Sequence, residues 1–125
     1  MSKKLVVLVV DDDMINRKLL RSMLMKNSNV DEILESQNGA EALEQLRLRD
    51  DINLILLDVI MPLMNGLEML EIIRSDRQMD NIPIIILTTD ETKKRKALEL
   101  GANGFILKPI RNTDLMQKID SLILS

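Results

Sequence analysis

The sequence predicts an α/β fold, a parallel sheet with helices on both faces built from five successive βα units. Two observations carry that prediction. Segments of strand character recur five times along the 125 residues, three of them uniformly apolar, and helical patterns at the 3.6-residue period alternate with them. A third observation sets the chemistry: the first run, VVLVV, ends in three adjacent carboxylates, Asp11, Asp12 and Asp13.

Each element has its own signature. Leu5–Val10 is apolar without alternation, the pattern of a strand buried on both faces. Asp is a favoured N-cap for the helix that follows, but three adjacent acids exceed what one cap needs. In that helix Ile15, Leu19, Leu20, Met23 and Leu24 share one face. Residues 32–36 have strand character. Asn38 followed by Glu41 resembles a capping box and opens a helix through about residue 49. The third strand, 54–57, runs into Asp58, and the Asn65-Gly66 turn precedes a helix marked by Leu67, Leu70 and Ile73. The fourth strand, 84–87, runs into Thr88; Ala97, Leu98 and Leu100 mark the next helix, stopped by Gly101. Gly104–Leu107 runs into Lys108, and Leu115, Ile119, Leu122 and Ile123 give the last helix. With no linker, repeat or low-complexity segment, residues 1–125 read as a single domain.

Composition narrows the function. At 46% hydrophobic content and this length, folding buries about two thirds of the chain's surface, enough for a core. The absence of cysteine removes disulfides and thiolate metal sites and fits a reducing cytoplasm. The N-terminal lysines and apolar run imitate a signal peptide, but the run is too short and ends in aspartates. No stretch approaches membrane-spanning length. A net charge of −3 gives no general attraction to nucleic acid. Histidine is absent, which excludes a Ser-His-Asp triad, an imidazole base, a histidine metal ligand and a phosphohistidine on this chain.

In parallel sheets of this kind ligands bind at the carboxyl ends of the strands. That rule gathers Asp11, Asp12, Asp13, Asp58, Thr88 and Lys108 onto one rim. Singly these residues read as a cap, turn residues and strand ends. Together they are complementary. Two or three carboxylates make a hard-oxygen site for Mg²⁺, and a cation keeps an aspartate ionised. An ionised Asp58 can attack phosphorus, Lys108 can neutralise a phosphoryl oxygen, and the Thr88 hydroxyl can donate to another.

The blocks VVDDDMINR, LILLDVIMPLMNG, IIILTTDE and GANGFILKPI resemble, in order, the signature blocks of response-regulator receiver domains. The resemblance covers essentially the whole chain. It implies the flavodoxin-like strand order 2-1-3-4-5, which the known chemotaxis receivers share. It also implies Mg²⁺ bound by Asp11, Asp12, Asp58 and the backbone carbonyl of Ile60, with Asp58 as phosphoacceptor and Lys108 as the site lysine. Asp13 lies one place beyond the acidic pair and is assigned to helix capping. Thr88 becomes the switch hydroxyl and Phe105, the only aromatic residue, the switch ring; Phe105 also reads as ordinary core. The implied partners are a histidine kinase or histidine phosphotransfer protein and a downstream protein target, with no direct nucleic-acid or membrane role. Phosphodonor docking is expected on the first helix around Met14 and Ile15. State-dependent docking is expected on the fourth helix, fifth strand and fifth helix. The basic run 93–96 reads as a solvated face or part of that surface. The implied Lys108–Pro109 peptide is cis. The chain ends about where the receiver fold is complete, which suits a stand-alone regulator, a relay intermediate or an excised receiver. On this reading it is a self-phosphorylating and self-dephosphorylating signalling domain rather than a turnover enzyme. The alternative is a Mg²⁺-dependent phosphohydrolase of haloacid-dehalogenase type, which requires a second acid where this chain has Ile60.

Overall fold

A computed structural model describes residues 4–123. Five parallel strands, β1 (Leu5–Val10), β2 (Val30–Ser36), β3 (Leu54–Asp58), β4 (Ile84–Thr88) and β5 (Gly104–Leu107), form one sheet in the order β2-β1-β3-β4-β5. Between and after them run α1 (Met14–Met25), α2 (Gly39–Leu48), α3 (Gly66–Arg74), α4 (Lys94–Glu99) and α5 (Asn112–Ile123). This is the expected flavodoxin-like architecture.

The period-two alternation of side chains divides the core in two. Val6, Leu8 and Val10 of β1 join Ile55 and Leu57 of β3 in a layer closed by α2, α3 and Ala97 of α4. Leu5, Val7 and Val9 join Leu54 and Leu56 in a layer closed by Leu20 and Leu24 of α1 and Leu115 and Ile119 of α5. Every residue of β1, β3 and β4 is buried, which is why these strands lack polar alternation. Each buried aliphatic side chain contributes roughly 1.5–3 kcal/mol, so the central strands hold the sheet and leave its rims free for chemistry.

Several boundaries differ from expectation. The edge strand β2 begins at Val30, two residues early, because it pairs with β1 from Leu5 onward. In α1 the buried side chains are Leu20 and Leu24, while Ile15 and Leu19 are 73% and 52% exposed. The apolar pattern there is wider than the face the sheet covers. Asn38 caps α2 by accepting from the Glu41 amide at 2.8 Å, but the Glu41 carboxylate turns to Gln37, so the box is only half made. The complete box is Asn65 with Glu68, at the start of α3. The fourth helix begins as a 3₁₀ turn, Glu91–Lys93, whose cap Asp90 accepts from the Thr92 amide. Of the residues expected to mark this helix, Ala97 is buried, Leu98 is exposed, and Leu100 lies beyond its end. Lys94, Arg95 and Lys96 face solvent. Among the described residues, no helix is long and apolar enough to cross a membrane.

Candidate functional site

The carboxyl ends of four strands meet at one place. β1 hands over to Asp11, β3 ends on Asp58, β4 ends on Thr88, and Lys108 directly follows β5. Asp11, Asp58 and Thr88 are 1%, 6% and 1% exposed, so three polar side chains sit where the core would otherwise continue. The Lys108 ammonium lies between two of them, 3.2 Å from Asp11 Oδ2 and 3.2 Å from Asp58 Oδ1. Asp12 is exposed, yet carboxylate oxygens of Asp11, Asp12 and Asp58 all lie within 4.8 Å of one another.

Asp13 does something different from its neighbours. Its Oδ1 accepts from the Ile15 amide at 2.9 Å and caps α1, while its own amide donates to Asp11 Oδ1 at 2.9 Å. The acidic triplet is therefore split, two carboxylates toward the cluster and one at the helix start. The Thr88 hydroxyl accepts from the Asp90 amide at 3.2 Å, a contact that uses a lone pair and leaves the proton available. Ile60 lies in the β3–α3 loop with its side chain 61% exposed. Phe105 is only partly buried, at the margin of the core layer under α2, α3 and α4. The Lys108–Pro109 peptide is cis.

Electrostatics follow from burial. Loss of water raises the Asp58 pKa above the ordinary 3.8, the Asp11 charge pushes it further, and Lys108 offsets part of the rise. For Lys108, burial works against the charged form, but the carboxylates of Asp58 and Asp11 outweigh it and hold the ammonium above its ordinary range. One ammonium thus balances a cluster whose carboxylates repel each other. The donor set is oxygen only and net negative even with Lys108 counted, which fits a hard divalent cation such as Mg²⁺.

Two contributors had weak or absent sequence signals. Gly66 begins α3 against the site itself: a Cβ there would lie 2.2 Å from the Asp58 carbonyl oxygen, and its amide donates to the Val59 carbonyl at 2.8 Å. The Asn65-Gly66 pair signals a turn but not this close approach. Arg17 donates from Nη1 to the Asp11 carbonyl at 2.7 Å, a long-reach contact that no local pattern announces.

Comparison with known proteins agrees with this geometry. The response regulator receiver domain family matches residues 7–120. A chemotaxis protein CheY homolog from Campylobacter jejuni is 33% identical over 119 residues, covering 94% of this chain and 91% of that protein. The chemotaxis protein CheY1 of Helicobacter pylori is 34% identical, with 94% and 95% covered. Among solved structures, CheY4 of Vibrio cholerae superposes with a TM-score of 0.83 at 29% identity over 97% of this chain and 98% of that one. These matches favour signalling over the haloacid-dehalogenase reading. With the family spanning nearly all of the sheet and every strand end described above, the chain belongs to the response regulator receiver domains of two-component signalling.

Proposed function

We propose that Asp58 is the phosphoacceptor of this receiver, that Mg²⁺ is its cofactor, and that phosphorylation switches partner binding. The observation that supports this best is the burial of Asp58 beside Asp11, with Lys108 bridging the two carboxylates, on a rim shared with Thr88. An Asp58 oxygen attacks the phosphorus of a phosphohistidine, the O–P bond forms, the P–N bond breaks, and the imidazole leaves with the electron pair. Asp11, Asp12, Asp58 and the Ile60 carbonyl would hold the cation, which would supply charge compensation to the transferring phosphoryl oxygens. Lys108 neutralises another of those oxygens. Ile60 stands where a haloacid-dehalogenase-type phosphohydrolase has its second acid, which counts against turnover.

The Thr88 hydroxyl then donates to the phosphoryl group, a charge-assisted bond contributing ~1.5–3 kcal/mol. Its movement opens space that the partly buried Phe105 ring enters, and the added burial contributes less than the ~1.5–3 kcal/mol of a fully exposed ring. Together the two contributions shift the equilibrium in the same direction, against the ~5.5 kcal/mol that a full inversion from 1:99 requires. The exposed α1 residues Met14 and Ile15 suit docking of a histidine kinase or phosphotransfer helix. A downstream protein target engages α4, β5 and α5, where Lys94 and Lys96 are exposed. The relatives' names, chemotaxis proteins and two-component regulators, support a signalling role, which the proposal places in the cytoplasm without direct nucleic-acid or membrane contact.

Incubation with acetyl phosphate and Mg²⁺, read by intact-mass spectrometry, should show a single phosphoryl adduct that is absent in Asp58→Asn. An adduct that persists in that variant, or forms equally in EDTA, overturns the assignment.

A further inference from the structure

We infer that Arg17 is a positioning residue for the acidic site, acting on the peptide plane between Asp11 and Asp12. The inference rests on the proposed metal site and adds a residue to it. Arg17 lies one turn into α1, where an arginine ordinarily extends into water, yet its side chain is only 14% exposed. Its guanidinium is divided between two tasks. Nη1 donates to the Asp11 carbonyl at 2.7 Å, and Nε donates to Glu35 Oε1 of β2 at 3.2 Å.

Glu35 is held in turn. Its second oxygen accepts from Arg21 Nε at 2.7 Å, and Arg21 Nη2 reaches the Ile33 carbonyl at 3.0 Å. Burial alone would raise the Glu35 pKa, but its hydrogen bonds and attraction to Arg21 and Arg17 bring it below the ordinary range. It is therefore a firm, ionised anchor. The Asp11 carbonyl belongs to the peptide joining two carboxylates of the cluster, so fixing that oxygen orients both. The Asp11 amide is fixed from the other side by the Ser36 carbonyl at 3.1 Å. Without Arg17 this peptide loses the hydrogen bond that holds its carbonyl, and the carboxylates flanking it lose their common frame.

Arg21 supplies an internal control, because it shares the same glutamate but ends on a carbonyl in mid-strand. A clamp that merely holds α1 to β2 uses both arginines alike. A positioning role singles out Arg17. Charge alone has the opposite sign, since removing a cation beside an acidic cluster tightens binding of another cation. The experiment titrates Mg²⁺ into the whole protein by calorimetry, comparing wild type with Arg17→Met, Arg17→Lys and Arg21→Met. Groups that orient metal ligands typically contribute 10–100-fold in affinity. Arg17→Met should therefore weaken Mg²⁺ binding about tenfold or more, and Arg21→Met by less than about twofold. Arg17→Lys retains the charge and is the milder change for folding; one ammonium cannot serve both acceptors, so binding should still weaken several-fold. In the metal-free protein, exchange of the Asp13 amide, which reports on Asp11 Oδ1, should quicken in the Arg17 variants only. Equal losses at Arg17 and Arg21, tighter binding in Arg17→Met, or wild-type affinity in Arg17→Lys each overturns the inference. A wild type that binds no Mg²⁺ instead overturns the metal site itself, a distinguishable failure.

Discussion

The two ends of the sheet each carry a half-buried cation, and they use it differently. At the carboxyl rim Lys108 faces two carboxylates at 3.2 Å. At the opposite rim Arg74 donates to the carbonyls of Gly101, Asp80 and Ile82 and to Asn103 Oδ1, all at 2.8–3.0 Å. Burial lowers the Arg74 pKa from its ordinary value, with Asp80 partly opposing, whereas the partners of Lys108 raise its own. Backbone strain divides the same way. The opposite rim places a glycine, Gly101, at its positive φ of 105°, while the carboxyl rim places Leu63 at 72°. One rim is a staple made of neutral, well-fitted acceptors. The other stores repulsion and strain beside the groups proposed to react, a pattern that recurs at functional sites.

The largest effect tests the staple. Arg74→Ala strands three carbonyls in the two loops that Arg74 joins, each at a cost of about 1–3 kcal/mol where water cannot replace the bond, while Asn103 Oδ1 keeps the Ile84 amide at 2.9 Å. Solvent can reach some of them, so the net loss should be about 3 kcal/mol, or roughly 10 °C in Tm. Chemical and thermal denaturation measure it. Mg²⁺ affinity should stay within error, and a parallel loss of Mg²⁺ binding would show that the two rims are not independent.

A smaller effect, opposite in sign, tests the stored repulsion. The Asp58 pKa is raised in the folded protein, so its contribution is most favourable below the ordinary 3.8 and is lost as pH rises through the folded-state value. At pH 7 the ionised carboxylate therefore strains the metal-free protein. Asp58→Asn should raise Tm there by roughly 4 °C, equivalent to about 1 kcal/mol. The gain should fade as the pH approaches 3.8, because wild-type Asp58 is then neutral too. A Tm gain that is independent of pH would assign the effect to packing rather than charge.

How far the sequence revealed these two rims follows from the physics of each. Asp11, Asp12, Asp58, Thr88 and Lys108 were legible because strand ends are easy to find and their residue types are chemically unusual there. The fold was legible because Leu5–Val10, residues 54–57 and residues 84–87 are apolar without interruption. Arg74 and Arg17 were not, since their partners lie as far as 29 and 18 residues away and a helical arginine ordinarily looks like surface. Gly66 declared a turn but not its packing against Asp58. The exposure of Ile15 and Leu19 was hidden because helical periodicity reports which residues share a face, not how much of that face a sheet covers.

The smallest effect isolates the backbone strain. Leu63 follows Pro62 in the β3–α3 loop, has φ 72°, and is 93% exposed. Its side chain therefore loses almost nothing in packing if removed. The left-handed conformation costs a non-glycine residue about 1–2 kcal/mol, and glycine there costs about 0.5–1 kcal/mol in unfolded-state entropy. The difference favours Leu63→Gly by roughly 0.5 kcal/mol, or about 2 °C in Tm. At Gly101 the same balance has the reverse sign, since alanine would meet both the positive φ and the Arg74 side chain at 3.0 Å. Denaturant titration of Leu63→Gly should show a higher midpoint with an unchanged slope. A lower midpoint would mean that the Leu63 side chain makes a stabilising contact at the carboxyl rim, and that this rim, like the other, is built chiefly for stability at that position.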